Sequence, residues 1–380
     1  MTPATKAMMP AVAALAAMAV TGALVAAGCS NGATATPKIT VTARAGVAPL
    51  PPAQGAYFGA WVPPVLGPTY ATRGDQGKGK RPSGKASSSP SVSAPATGSP
   101  ASGEEEVEAR NGRTALTGFE RDLGRRLDIV QSYVDWKTEF PRKVDTALLE
   151  GDRTMLLTWS GTDTQEIVAG KHDALIRARA RAIKATGKPI FLRWQRDMDK
   201  SSLRDIKIHS PAAYIAAWKH LRTIFKKEKV DNVAWVWCPT ARGFGSRAAQ
   251  PFYPGDDQVD WICVDAQPGG EYEYRDLIET LKIFMEWARG HSKPIMVAEF
   301  GVPQAYGTRR AEWLRKAAQT LQNPQIKAVV YFNSNEQAQE PRDRRRRYEV
   351  TGDRAAVSAL REFATTPYFN PRNLPVTSGG

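Results

Sequence analysis

The sequence contains few of the residues that build histidine-based or cysteine-based sites. Its 380 residues include 4 histidines and 3 cysteines. The histidines fall in predicted helical or loop segments, at positions 172, 209, 220 and 291. Because a serine hydrolase triad and a histidine metal centre both need histidine at the site, this placement argues against both. No glycine-rich phosphate loop follows a predicted strand. We therefore expect no metal and no cofactor, and carboxylates remain as candidate catalytic groups.

One cysteine lies at the end of an N-terminal apolar segment. Residues 1–28 contain one lysine, Lys6, and an alanine-rich run that ends in small residues directly before Cys29. This pattern is typical of a secretory signal, and its Ala-Gly-Cys ending resembles a bacterial lipobox. We expect lipidation of Cys29, which would anchor the protein at the outer face of the cell membrane. The alternatives are an ordinary cleaved signal peptide, giving a secreted protein, and a membrane-spanning anchor.

The other two cysteines, Cys238 and Cys263, lie in predicted strands without histidine at zinc-ligand spacing. We expect two buried free thiols, while an oxidising compartment also permits one disulfide. Long apolar runs are lacking after residue 28, since no later stretch has the roughly 18 uncharged apolar residues of a membrane helix.

Negative charge is outnumbered, with 38 Asp and Glu against 52 Lys and Arg and a formal net charge of +14. Four consecutive arginines at 344–347 suggest nucleic-acid binding. Secretion argues against that partner, and the positive charge is also spread over helices such as residues 177–188. We expect a monomer with a cationic surface suited to an anionic cell envelope, and no nucleic-acid partner.

Low-complexity segments flank the first aromatic segment. Residues 29–53 have few large apolar side chains and predict a flexible tether. Residues 68–112 are rich in Ser and Pro and contain three consecutive glutamates, which predicts disorder. The strand-like segment 56–62 lies between them, so we predict a disordered insertion after the first strand of one domain at 54–367, followed by a tail at 368–380. The alternative is one long linker that contains a stray apolar segment.

The remaining chain alternates between strand-like and helical segments. Short β-branched or aromatic runs alternate with amphipathic helices from residue 113 onward. Together with 56–62, the predicted strands are residues 127–136, 154–160, 189–195, 232–239, 259–266, 294–301 and 328–334. Eight strands in about 270 residues predict an α/β fold, a (β/α)8 TIM barrel with one catalytic-type domain. A doubly wound sheet is the alternative.

Charged and aromatic residues gather at the predicted strand ends, where a barrel places its active site. Glu299 ends one strand and Asp197 follows another, and two carboxylates in one cleft are the arrangement of a glycosidase. Tryptophan recurs at strand ends, and indole rings stack on sugar rings. These tryptophans are Trp61, Trp136, Trp159, Trp194 and Trp237, whereas Trp235 and Trp261 are expected in the core.

The segments at these strands resemble glycoside hydrolase family 26, best known for β-mannanases. The resemblance rests on residues 55–61, 123–130, 190–194, 232–239, 253–261 and 293–301, in the order and spacing of the family. It implies a retaining enzyme acting on a β-linked polysaccharide, with Glu299 as nucleophile and Asp197 at the acid/base position. The residues expected to bind substrate are Trp61, Trp136, Trp159, Arg193, Arg196, Trp237 and Gln267, with Arg193 ordering the carboxylates at the barrel floor.

The chain departs from the family around Asp197. The family pattern resembles Arg-Phe-X-His-Glu-Met-Asn-Gly, whereas residues 193–200 read Arg-Trp-Gln-Arg-Asp-Met-Asp-Lys. Gln267 stands where the family usually has a tyrosine. Aspartate is one methylene shorter than glutamate, and the adjacent Arg196 favours its ionised form. Two hypotheses follow: a glycosidase for a β-mannan-like polysaccharide or related glucan, and a catalytically impaired glycan-binding envelope lipoprotein. Arg193 and Arg196 suggest a third, an enzyme for an acidic envelope glycan.

Overall fold

The computed structural model describes residues 38–40, 48–64, 102–203, 207–268, 274–336, 338 and 343–377. The predicted signal at 1–28, the lipidation candidate Cys29, and residues 68–101 of the predicted insertion lie outside these ranges. Within the described ranges, no helix combines the length and the apolar character needed to cross a membrane.

Eight parallel strands form a closed barrel in chain order, which confirms the TIM-barrel prediction. Each strand pairs with the next, and the last pairs with the first through Tyr57 opposite Ala328 to Trp61 opposite Phe332. The strands are β1 (Tyr57–Trp61), β2 (Ile129–Val134), β3 (Thr154–Trp159), β4 (Ile190–Trp194), β5 (Val233–Trp237), β6 (Trp261–Asp265), β7 (Ile295–Phe300) and β8 (Ile326–Phe332).

Helices follow the strands and cover the outside of the barrel. They are α1 (Ser102–Leu123), α2 (Lys143–Leu148), α3 (Thr164–Val168), α4 (Asp173–Ala185), α5 (Ser201–Leu203), α6 (Pro211–Lys227), α7 (Ala241–Gly245), α8 (Leu277–Ala288), α9 (Arg310–Thr320) and α10 (Arg354–Thr365). Short 3-10 turns occur at Gln250–Phe252, Gln304–Arg309, Arg344–Arg346 and Pro367–Phe369.

Helix α6 shows how local sequence sets these elements. Ser210 caps its first turn, because its side chain accepts a hydrogen bond from the Ala213 amide, and proline occupies the first helical position. Two lysines stand in the last turn, where cations suit the negative end of the helix dipole. Apolar residues recur at three and four spacing and are buried against the strands, namely Tyr214, Trp218, Leu221 and Phe225.

Helix α1 begins earlier than the sequence predicts. Disorder is expected through residue 112, but the helix starts at Ser102. Its first turn carries Glu104 and Glu105, which suit the positive end of the helix dipole. Lys143 of α2 pairs with Glu106 at 2.8 Å, and Ala109 is buried. The predicted boundary is therefore wrong, because the acidic run is the start of a helix that packs on α2.

The predicted tail also begins too early. Phe369 is fully buried and packs on Phe363 of α10 at a ring-centroid distance of 4.5 Å. The buried Arg125 donates a hydrogen bond to the Phe369 carbonyl, and the Tyr368 carbonyl accepts one from the Ala56 amide before β1. Residues 368 and 369 are therefore part of the barrel's outer layer.

Cys238 and Cys263 are joined by a disulfide. The expectation of two free thiols is wrong, because both side chains point into the barrel from neighbouring strands and their Cα atoms lie 4.3 Å apart. Alternation along two parallel strands brings such residues face to face.

Candidate active site

Strand residues alternate between the barrel interior and the layer beneath the helices. The interior is apolar toward the bottom of the barrel. Its side chains include Ile129, Leu156, Phe191, Ala234, Val236, Trp261, Met296, Ala298, Ala328 and Val330. The polar residues of the site stand one step further along the same strands, at the open carboxyl ends.

Glu299 is turned into the barrel by a break in the alternation of β7. Met296 and Ala298 point inward, so regular alternation would send Glu299 outward. Its φ of +49° and a register shift between Val297 and Phe300 reverse this, and Phe300 packs in the outer layer instead. A non-glycine residue with positive φ costs on the order of 1–3 kcal/mol, and such residues cluster at functional sites.

Three donors converge on one oxygen of the Glu299 carboxylate. Oε1 accepts hydrogen bonds from the Tyr133 hydroxyl at 2.6 Å, from Arg193 Nη1 at 2.8 Å and from Gln131 Nε2 at 3.3 Å. Gln131 and Tyr133 lie two residues apart on β2 and therefore share its inner face. Neither residue was selected from the sequence, although two polar side chains on one face of a strand signal a functional inner face.

These donors keep Glu299 ionised. Burial raises the pKa of this carboxyl, which is only 4% exposed, but the guanidinium groups of Arg193 and Arg196 outweigh burial and leave the pKa below its ordinary value. The hydrogen bond from Tyr133 acts in the same direction. Burial and the charge of Glu299 raise the pKa of the Tyr133 hydroxyl well above its usual range, so the phenol retains the proton that it donates.

Arg193 links Glu299 to a second carboxylate, Asp265 at the end of β6. Its Nη2 donates to Asp265 Oδ2 at 2.6 Å, and its side chain is 1% exposed. Burial raises the pKa of Asp265 well above its usual range, and the nearby charge of Glu299 raises it further. The Cys238 sulfur lies 3.5 Å from Asp265 Oδ1. Arg193 therefore contacts both carboxylates near the carboxyl end of β4.

The carboxylate that follows β4 is more exposed than Glu299 and pairs with cations. Asp197 follows the strand with a φ of +60°, and its carboxylate is 14% exposed. Two cations pair with it, Lys200 at 3.0 Å and Arg196 at 3.6 Å. The guanidinium carbon of Arg196 also lies over the ring of Tyr133, 5.1 Å from its centre. Tyr133 thus connects the environments of Asp197 and Glu299.

Asp199 connects the loop after β4 to the loop after β5 through hydrogen bonds. Its carboxylate is 5% exposed and accepts hydrogen bonds from the amide and hydroxyl of Thr240, the N-cap of α7. Burial raises the pKa of Asp199, although the bonds from Thr240 oppose this shift. This buried contact fixes the position of the loop that carries Arg196 and Asp197.

The predicted aromatic residues divide into two groups. Trp61 lies at the mouth, where its ring meets the edge of Tyr133 at 4.8 Å and its indole donates to Glu336 at 3.3 Å. Trp159 and Trp237 are fully buried between the strands and the helices. Trp136 is 6% exposed and stacks on Trp159 at 4.4 Å. The expectation that these three bind sugar is not supported, because their rings occupy the outer layer.

The position of Gln267 agrees better with a binding role. It follows β6, is partly buried, and its Nε2 atom has no hydrogen-bond partner among the described residues. Buried polar groups are usually hydrogen-bonded. The amide of Gln267 is therefore a buried donor whose partner does not lie among the described residues.

Comparison with solved structures concerns the fold of the barrel. GH26C from Muricauda sp. MAR_2010_75 has a TM-score of 0.50 and 16% identity, covering 67% of this chain and 82% of that one. The GH26 β-mannanase BoMan26A from Bacteroides ovatus has a TM-score of 0.50 and 14% identity, covering 66% and 82%. The barrel has the GH26 fold. No protein-family model matches the sequence.

Curated relatives with sequence similarity are also glycosidases. Endoglucanase H of Acetivibrio thermocellus is 26% identical over 282 residues, which are 70% of this chain and 30% of that protein. The β-1,3-xylanase TXYA of a Vibrio species is 27% identical over 154 residues, covering 38% of this chain and 30% of that protein. This chain spans about 30% of the length of these relatives.

Proposed function

We propose that the barrel is a retaining glycoside hydrolase that cleaves a β-linked polysaccharide, with Glu299 as its nucleophile. The observation that carries this proposal is the state of Glu299: a buried, ionised carboxylate turned into the open end of the barrel by a positive φ. The names of the similar proteins support the substrate class, since they include β-mannanase, endoglucanase and β-1,3-xylanase.

In this proposal the second oxygen of Glu299 attacks the anomeric carbon. The three donors converge on Oε1, so Oε2 is the oxygen that forms the bond to the sugar. The attack gives a covalent glycosyl-enzyme, and water then releases the sugar with retained configuration. Arg193 and Tyr133 fix the rotamer of Glu299 before substrate arrives, which is the positioning that nucleophilic catalysis requires.

Asp197 takes the acid/base role. It protonates the leaving oxygen in the first step and activates water in the second. Its partial exposure permits proton exchange with solvent, which the buried Glu299 does not need. To act as an acid, Asp197 must give up part of its pairing with Arg196 and Lys200.

The test is hydrolysis by the purified protein of β-1,4-mannan, mixed-linkage β-glucan and β-1,3-xylan. We expect release of reducing ends by the wild-type protein and none by Glu299→Ala. A matched control is Glu312→Ala, which removes a 57% exposed glutamate on α9 and should leave the rate unchanged. No release from any β-glycan, or equal release by wild type and Glu299→Ala, contradicts the proposal.

A second candidate function is glycan binding without efficient turnover. The pairing of Asp197 with two cations favours it, because these contacts occupy the carboxylate that would have to meet the leaving oxygen. This function predicts that glycan affinity survives Glu299→Ala and falls on Trp61→Ala at the mouth. Affinity that is unmeasurable in the wild-type protein would contradict it, whereas turnover lost with Glu299→Ala would favour the enzyme.

For location, we propose a lipid anchor on Cys29 at the outer face of the membrane. The support is the apolar segment that ends in Ala-Gly-Cys. Expression of the full chain with Cys29→Ser should move the protein from the membrane fraction to the medium, and an unchanged membrane fraction would contradict the anchor.

A further inference from the structure

We infer that the site takes a glycan bearing carboxylate groups, and that Arg196 binds the carboxylate of the sugar at or next to the cleavage point. This inference rests on the proposed function, because it names the substrate class of the same site. A uronic acid unit, in which C6 is a carboxylate, has the required chemistry.

The first observation is the placement of Arg196. Its guanidinium stacks on Tyr133, and the hydroxyl of Tyr133 bonds directly to Glu299. One aromatic side chain therefore separates the cation from the nucleophile. The side chain of Arg196 is 43% exposed, so a ligand in the mouth can reach it.

The second observation is that Arg196 is incompletely paired. Within the described part of the chain, its ion pair is with Asp197 at 3.6 Å, which exceeds the length of a good hydrogen bond, and its charge also acts on Glu299 without a direct ion pair. Lys200 approaches the same carboxylate more closely, at 3.0 Å. Two cations thus share one anion, and most of the five N–H donors of a guanidinium remain open to a planar acceptor.

The third observation concerns the rim. The loop after β8 opens at the same end of the barrel and carries exposed arginines in the 3-10 turn Arg344–Arg346. Arg344 donates to the Gln304 carbonyl in the connection after β7, which holds this basic turn beside the end of the Glu299 strand. Clustered positive charge near one end of the barrel steers an anionic polymer toward that end.

These features fit a carboxylated sugar better than a neutral one. A neutral glycan would leave the donors of Arg196 directed at water or at Asp197. A sugar carboxylate would instead accept a bidentate bond from Arg196 and draw the guanidinium away from Asp197. Substrate binding would then weaken one of the two pairings that hold Asp197, which would free that group for its acid/base role.

The experiment compares oligosaccharides that differ only at C6. The probes are β-1,4-linked oligomannuronate against β-1,4-mannan oligosaccharides, and β-1,4-oligoglucuronate against cello-oligosaccharides. Binding is measured by calorimetry on Glu299→Gln protein at moderate salt, so that turnover is not required. We expect the carboxylated member of at least one pair to bind about tenfold more tightly or better, as for a charge-assisted bidentate contact.

Variants of Arg196 then assign the preference. Adding Arg196→Gln should bring the ratio of the two affinities, carboxylated to neutral, close to one, and should change the affinity for the neutral oligosaccharide little. Arg196→Lys should keep part of the preference for the carboxylated oligosaccharide. The matched control is Arg181→Gln, which removes a 68% exposed arginine that pairs with Glu228 on the helical side of the barrel. This control should keep the full ratio, and circular dichroism should show the same fold in every variant.

Several results would overturn the inference. They are a ratio near one for both pairs, no measurable binding of any probe, and a preference that survives Arg196→Gln or falls equally with Arg181→Gln. Hydrolysis separates this inference from the proposed function. Cleavage of neutral glycans without a carboxylate preference would retain the function and reject the inference. Selective binding of carboxylated glycans without cleavage would retain the inference and reject the function.

Discussion

The ends of β7 and β4 hold carboxylates in opposite ways. Glu299 is buried, accepts three hydrogen bonds on one oxygen, and has its pKa lowered by two guanidinium groups that outweigh burial. Asp197 is partly exposed and pairs with two cations that themselves reach solvent. The first carboxylate is held by fixed donors in its ionised form, whereas the second keeps contact with water and with partly exposed cations.

This difference matches the two roles of a retaining glycosidase. A nucleophile must be ionised and aimed before the substrate binds, which a dry site with fixed donors provides. An acid/base group must change its protonation state twice in each cycle and therefore needs a route for protons. In the proposed function, the group at β4 is the more vulnerable of the two, since its environment depends on partly exposed cations.

The largest expected effect compares the two carboxylates directly. Glu299→Gln should lower the rate of hydrolysis on the order of 10⁴-fold or more, since it removes the attacking group. Asp197→Asn should lower it by about 10²–10⁴-fold, the usual contribution of a general acid or base. A substrate with a good leaving group does not need a proton from the enzyme. On such a substrate the loss of rate should become smaller for Asp197→Asn and stay the same for Glu299→Gln. If the rates of both variants recovered equally on this substrate, the two carboxylates would not have the different roles proposed for them.

The next effect concerns stability and compares two arginines. Arg193→Met should reduce the free energy of unfolding by about 3–5 kcal/mol, because it leaves buried carboxyl groups without their partner. Arg196→Met should change it by less than about 1 kcal/mol, since its ion pair is exposed to solvent. Urea denaturation monitored by tryptophan fluorescence measures both. Similar losses of unfolding free energy in the two variants would show that Arg196 contributes as much to stability as Arg193.

The sequence predicts the barrel well, because the barrel depends on local patterns. Eight apolar runs separated by amphipathic helices define the strands, and Glu299 ends one of them. The same patterns fail for Trp237, which is two residues from Trp235 and therefore shares its outward face. Trp235 packs on Trp218 of α6 at 5.3 Å, and this shared face was the signal that Trp237 also belongs to the outer layer.

Other features need three-dimensional information. The inward direction of Glu299 depends on a positive φ that breaks the alternation of side chains along β7. No residue type in β7 predicts that break. The donors from β2 reach Glu299 across the barrel, over 166 and 168 positions of sequence. The disulfide likewise depends on the register between β5 and β6, which pairs Val236 with Trp261 and so places Cys238 opposite Cys263.

A smaller effect tests the hydrogen bond that joins the two ends. Tyr133→Phe removes one donor from Glu299 and should lower the rate about tenfold or more, as for a hydrogen bond to a charged group. The pKa of Glu299 should rise toward its ordinary value, so the acid limb of the pH–rate profile should move to higher pH. Tyr253→Phe, which removes a bond to Asp256 elsewhere, is the control and should leave that limb in place. An unshifted limb in Tyr133→Phe would contradict the role of this phenol.

The smallest expected effect distinguishes Glu299 from Asp265, which share Arg193 but have pKa values shifted in opposite directions. Because the pKa of Asp265 is raised, the stability gained from its bound proton is present below the ordinary carboxyl pKa and lost as pH rises through the raised pKa. Asp265→Asn keeps an acceptor for Arg193, so its free energy of unfolding at neutral pH should stay within about 1 kcal/mol of wild type and fall less as pH rises.

Glu299→Gln should affect the opposite limb of the stability profile. The lowered pKa of Glu299 contributes stability that is present above the ordinary carboxyl pKa and lost as pH falls through the lowered pKa. Replacement by glutamine should therefore flatten the loss of stability at acid pH and leave the alkaline limb unchanged. Denaturation curves collected from acid to alkaline pH for both variants measure this contrast. A large loss of stability at neutral pH in Asp265→Asn would show that Asp265 is ionised, and Arg193 would then balance two charged carboxylates.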